Sequence, residues 1–191
     1  MRRWAWMMLS VMICAGTATA RAQVQSAATR GTFSVNVGAM GSMYQPDYAG
    51  GGIAQASPYR LFGVGTYVDL RFRRWVQLEA EARWQRFHQY INIHQDNYLI
   101  GPRVPIHTFF GRVTPYGKVL FGFTNLNFEF NETSCRCQTF AYGGGADVKL
   151  DNRWTLRAID FEYQQLPSWY QLQNSQLHPY GVSVGLSYRI F

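Results

Sequence analysis

Charge is what this sequence has least of. Asp, Glu, Lys and Arg together make up 15% of its 191 residues, where an average soluble domain carries about a quarter. Lysine is nearly missing: Lys118 and Lys149 are the two, and every other basic residue is arginine. The arginines stand singly or in pairs, without a basic run, a basic helix or a stacking motif, so no nucleic-acid partner is expected. Cysteine is almost absent as well, with three residues, too few for a disulfide scaffold. Cys135 and Cys137 flank one arginine, and two thiols cannot supply the four ligands of a structural zinc site. A bridge between them would close a tight ring in a connecting loop, and the sequence leaves their redox state open. Long apolar runs are missing too. The longest, from Trp4 to Gly16, is interrupted by Ser10 and falls short of the ~20 residues of a membrane-spanning helix. Apolar residues do not recur at spacings of three and four, which sets a helical bundle aside. Aromatics, by contrast, are abundant: 13 Phe, 12 Tyr and 6 Trp, or 16% of the chain. That excludes an intrinsically disordered polypeptide.

Residues 1–22 have the make-up of a removable secretory signal: Arg2 and Arg3, the short apolar run, then small residues. Two cleavage points remain open, after Ala20 and after Ala22, with the second preferred. Loss of Arg2, Arg3 and Arg21 lowers the formal charge from +7 to +4. Residues 23–191 then form one domain, a length that can bury a sizeable core.

That domain alternates with period 2. Eight segments are predicted as strands, over about 32–44, 59–72, 75–87, 97–106, 113–128, 138–150, 154–163 and 180–191. In the second, Phe62, Val64, Val68, Leu70 and Phe72 share one face, and Gly63, Gly65, Tyr67, Asp69 and Arg71 the other. In the third, Val76, Leu78, Ala80, Ala82 and Trp84 oppose Gln77, Glu79, Glu81, Arg83 and Gln85. The seventh changes parity between Leu156 and Phe161, which a bulge near Ala158 would reconcile. Connections are alternately long and polar (about 45–58, 88–96, 131–136 and 164–178) or short (Arg73 and Arg74, about 108–112, 151–153). Short turns at one end and long loops at the other are the plan of an outer-membrane barrel.

The polar face holds Asp69, Arg71, Glu79, Glu81, Arg83, Arg103, Lys118, Asp147, Lys149, Arg157 and Arg189. If the apolar face meets lipid, these eleven point inward and are expected to form an interior ion-pair network. Asp160 and Glu162 belong with them in character, in an uncertain register. Phe72, Trp75, Phe109, Phe110, Trp154, Tyr188 and Phe191 cluster at the short-turn end, as an interfacial girdle would.

The last segment, Gly185 to Phe191, alternates and ends on an aromatic. It resembles the terminal strand of bacterial outer-membrane proteins, which implies that Gly185, Tyr188 and Phe191 serve as an assembly signal for the barrel-assembly machinery. With the leader, the eight strands, and the stretches 98–103, 115–118 and 143–148, residues 31–191 resemble the OmpA-like and OmpX-like outer-membrane β-barrel domains. The resemblance implies an all-β fold, an eight-stranded antiparallel up-and-down transmembrane barrel. It also implies a place in the cell outer membrane of a Gram-negative bacterium, among outer-membrane lipids. The chain ends with the eighth strand, so the peptidoglycan-binding domain frequent in that family is not expected here.

No residue set compels chemistry. Small barrels that deacylate lipid A carry His-x-Ser, and none of His88, His94, His107 and His178 has a serine two residues on. His178 with Ser175, His94 with Asp96, and His88 with His94 as metal ligands lack a diagnostic spacing. Glu79 and Glu81 share a strand face and read as partners of Arg83, Lys118 or Arg157 rather than as acid and base. The expectation is a non-enzymatic membrane protein with no cofactor, metal or catalytic residue. Eight strands leave an interior filled by side chains and no open pore, and an unidentified partner could meet the loop around Trp169 and Tyr170. A lipid-modifying enzyme of the outer membrane and a soluble secreted lipocalin-like binding barrel are the alternatives.

Overall fold

In the computed structural model the alternation closes on itself. The structure describes residues 33–47, 60–72, 76–88, 94–128, 133–167 and 177–191. Its strands are β1 (Ser34–Gln45), β2 (Leu61–Arg71), β3 (Gln77–Phe87), β4 (His94–Pro105), β5 (Val113–Phe128), β6 (Thr133–Lys149), β7 (Trp154–Gln165) and β8 (Tyr180–Arg189). Each pairs antiparallel with its sequence neighbour, and β8 pairs with β1 from Arg189 opposite Asn36 to Tyr180 opposite Gln45. This is the expected eight-stranded barrel, and closure leaves no edge. Among the described residues no helix is long and apolar enough to cross a membrane, which says nothing of strands. The leader and the Trp169–Tyr170 loop lie outside the described residues.

Parity decides what each side chain meets. On β2 the odd residues from Leu61 to Asp69 are buried, while Phe62 and Val64 face out. Val104, Val119, Ile159, Val184 and Leu186 continue the outward apolar belt. Aromatic pairs bound it. At the short-turn end Phe33 meets Phe72 at 5.6 Å and Trp154 meets Tyr188 at 5.0 Å. At the other end Phe121 meets Phe140 at 5.0 Å and Tyr142 meets Tyr163 at 5.1 Å. Phe62 and Phe72 are ten residues apart, which at ~3.3 Å per residue and the usual ~40° tilt spans about 25 Å, the height of an outer-membrane apolar band.

Inside, large aromatics take up room that glycines on facing strands leave free. A β-carbon on Gly38 would collide with the Tyr67 ring, and one on Gly181 with the Tyr44 ring. Both tyrosines are almost wholly buried.

The β7 bulge falls where parity demanded it. Ala146 and Asp147 of β6 pair with Ile159 and Arg157, so Ala158 is the extra residue, and Arg157 and Asp160 both point inward. Several boundaries differ from the sequence reading, β1, β2 and β3 each starting two residues later. β4 begins at His94, β7 runs to Gln165 and is prolonged by a Leu166–Leu177 bridge, and β8 stops at Arg189, before Ile190 and Phe191. The largest difference is the β5–β6 hairpin, paired out to Phe128 opposite Thr133. Cys135 and Cys137 therefore lie in a strand rather than a loop. Cys137 is buried and disulfide-bonded. Above the aromatic pair the outward face of this hairpin turns to Asn125, Arg136 and Gln138, all exposed, so its extra length serves water rather than lipid.

Candidate functional site

The inward face of β3 gives the vertical order of the interior: Gln77 nearest the short turns, then Glu79, Glu81, Arg83 and Gln85, all buried. Four cations form the middle layer. Arg83 lies 2.9 Å from Glu81, 3.2 Å from Asp160 and 2.6 Å from Glu162. The Tyr44 hydroxyl donates to Glu162 at 2.8 Å and is itself in contact with Arg83. Lys118 sits among Asp160 at 2.8 Å, Glu162 at 3.0 Å, and Glu79 and Glu81 at 3.2 Å each. Arg157 grips Glu79 with both terminal nitrogens, at 3.0 and 2.9 Å, and reaches Asp69 at 3.3 Å. Arg103 reaches Asp69 at 2.7 Å and Asp147 at 2.5 Å. Aromatic faces complete the two lower guanidinium sites: Arg103 lies 3.6 Å from the Tyr116 ring centroid and Arg157 3.7 Å from that of Tyr67.

Arg83 and Arg157 are 0% exposed. Ions so enclosed lose hydration worth several kcal/mol each, and close multiple pairing is what returns it. Above them lies an uncharged layer. Gln95 donates to Asn97 and to Gln164 at 2.9 Å each, Thr124 to Asn97 at 2.8 Å, and Thr139 to Thr124 at 2.7 Å. Leu126, Cys137, Leu166 and Leu177 pack together farthest from the short turns.

Of the eleven residues named from sequence, eight stand in this middle layer: Asp69, Glu79, Glu81, Arg83, Arg103, Lys118, Asp147 and Arg157. Arg71, Lys149 and Arg189 do not. They lie at the short-turn mouth, with no carboxylate within 4.0 Å among the described residues. Asp160 and Glu162 are fully engaged, and the β7 bulge is what turns them inward. Tyr67 lies inward with Gly63, Gly65 and Asp69, the face its parity gives it in the sequence, while Tyr44 and Tyr116 were not singled out there although each shares the parity of inward neighbours on its own strand. Gly185 is buried, Tyr188 packs outward on Trp154, and Phe191 lies exposed beyond β8.

Glu79, Glu81 and Asp160 bring carboxylate oxygens within 4.8 Å of one another, a spacing that could hold a metal. The Lys118 ammonium already touches all three, so a cation would have to displace it. No histidine joins them. Asp96, imagined beside His94, is held by Arg86 at 3.1 Å, and His178 stacks on Tyr163 at 5.8 Å. Ser175 lies outside the described residues.

An apolar outer belt between aromatic girdles, around a closed antiparallel barrel packed with buried ions, defines a transmembrane β-barrel. The chain belongs to the outer membrane protein beta-barrel domain family, whose pattern matches residues 10–189, and its place is the outer membrane. No curated protein matches it. Among solved structures it is similar to the outer membrane protein OprG from Pseudomonas aeruginosa, at 11% identity and a TM-score of 0.57, over 83% of this chain and 96% of that one. It is also similar to the N-terminal β-barrel domain of Pseudomonas aeruginosa OprF, at 13% identity and 0.55, over 84% and 100%. Neisserial surface protein A aligns at 11% identity and 0.53, over 82% and 96%. At such identities the likeness is one of fold.

Proposed function

We propose that this protein is a non-enzymatic, sealed barrel that anchors surface structure in the outer membrane of a Gram-negative cell. In this reading it presents the β5–β6 hairpin outside as a contact surface for a partner still to be identified. The carrying observation is the middle layer, in which Arg83, Lys118 and Arg157 are enclosed by carboxylates across the whole bore. Ions paired this closely, beneath an amide layer and a leucine cluster, favour a filled interior over a conducting one. The leader of residues 1–22 would direct export and be cleaved. Gly185, Tyr188 and Phe191 would be read by the barrel-assembly machinery, and the apolar belt would contact outer-membrane lipids.

Solute flux tests the central point. Liposomes carrying the folded protein are expected to release a small dye no faster than liposomes carrying none. Steady, ion-selective conductance in a planar bilayer would overturn the sealed reading. A change in the acyl chains of lipid A or phospholipid on overproduction would overturn the non-enzymatic one.

A further inference from the structure

Below the sealed layer the barrel opens at its short-turn mouth into a cavity of about 300 Å³, at the lower end of the size of small-ligand sites. Five cations line it, Arg71, Arg103, Arg112, Lys149 and Arg189, against one carboxylate, Asp147. Asp147 is already taken by Arg103. Arg71, Arg112, Lys149 and Arg189 have no carboxylate within 4.0 Å among the described residues. Arg71 has an amide instead: Gln77, in the orientation that satisfies both groups, accepts from it at 3.1 and 3.2 Å. The Arg189 Nε is buried and has no hydrogen-bond partner among the described residues.

The middle layer above offsets part of this charge. It sets four cations, Arg103 among them, against six carboxylates: Asp69, Glu79, Glu81, Asp147, Asp160 and Glu162. With the mouth included, eight cations face six carboxylates, a surplus of two positive charges. Low-dielectric walls focus such a field into the mouth. Guanidiniums present planar forks suited to tetrahedral oxyanions, which bond to them through several oxygens at once.

We propose that this mouth is a binding site for a doubly charged oxyanion, phosphate or a phosphate monoester, held by Arg71, Arg189 and Lys149. Binding there cancels the surplus and gives the Arg189 Nε the acceptor it lacks.

Thermal unfolding tests it, read as loss of the fast-migrating folded band on an unheated SDS gel. The protein is held in an uncharged detergent with sodium phosphate or sodium chloride at matched ionic strength. The midpoint is expected to rise saturably with phosphate and to stay flat with chloride. In the Arg71→Gln, Arg189→Gln double variant the phosphate response should vanish, while the midpoint in chloride equals or exceeds that of the parent. Lys149→Gln, at an exposed position, provides the same readout should the double variant not fold, with a weakened response expected. A second arm replaces free phosphate with phosphatidic acid, a lipid whose headgroup is itself a phosphate monoester. A response to that lipid alone assigns the site to a phospholipid headgroup, and a response to inorganic phosphate without lipid assigns it to a free oxyanion. Equal shifts in chloride and phosphate, a shift retained by the double variant, or no response to either phosphate source would overturn the proposal.

Discussion

Arg157 is enclosed by Glu79 and Asp69, sits against the Tyr67 ring and has no exposed surface. Replacing it with methionine keeps much of its volume and removes its charge. The layer would then hold the same six carboxylates against three cations. Breaking a buried pair from one side costs about 3–5 kcal/mol, because the remaining charge stays out of water without compensation. Arg157→Met is therefore expected to lower the urea midpoint of the folded band, with a loss of unfolding free energy of that order. Combining it with Glu79→Met should cost less than the two separate losses added together, since the two residues share one interaction. Arg71 offers the contrast: half-buried at the mouth and, among the described residues, without a carboxylate neighbour, it should be replaceable by methionine at a cost of about 1 kcal/mol, that of its hydrogen bonds to Gln77. Equal losses at Arg157 and Arg71 would mean that the middle layer does not hold the barrel together.

Between residues and molecule stands the strand, and here a single residue of register matters more than any one side chain. A strand slipped by one exchanges its lipid face for its interior face. β7 carries a spare residue, Ala158, between inward Arg157 and inward Asp160. Deleting Ala158 restores plain alternation and leaves Arg157, Asp160 and Glu162 pointing inward. Deleting Ala80 from β3 would turn Glu81, Arg83 and Gln85 toward lipid. The first deletion is expected to retain a heat-modifiable folded band and the second to lose it. The reverse result would reject the register. The same period of two is what made the strands legible: each outward belt of Phe62, Val64, Val68 and Leu70 could be read without neighbours. The start of β6 could not. Beyond Phe123 and Phe140 the strands leave the lipid and need no apolar face, so Thr133 to Cys137 look like loop although they are paired. The network was legible in its members and not in its partners. Arg157 and Glu79 meet from strands four places apart around the barrel, a contact fixed by closure and shear rather than by local pattern. What the interior tyrosines pack against escaped for a related reason, since Gly38 beside Tyr67 and Gly181 beside Tyr44 gain meaning only once the strands are paired.

At the scale of the whole molecule the two ends differ in kind. One is a ring of short turns around a cationic mouth, and the other is drawn out by a hairpin whose outward face is polar. In an outer-membrane barrel the short turns face the periplasm and the longer connections face outside. The polar face of β5 and β6 should therefore stand clear of the membrane on the cell surface. Two exposed positions distinguish the ends. Asn125 lies on β5 beyond the upper aromatic pairs, and Asp151 lies in the turn between β6 and β7. With cysteine introduced at one position at a time, a membrane-impermeant maleimide applied to intact cells is expected to label Asn125→Cys and to spare Asp151→Cys. Permeabilising the outer membrane should then expose the second. Both variants alter exposed side chains away from the ion layer, so the folded band on an unheated gel should persist and serve as the control for assembly. Labelling of Asp151→Cys on intact cells, with Asn125→Cys protected, would invert the barrel. The cationic mouth would then face the medium, and the hairpin would lose its role as the displayed surface.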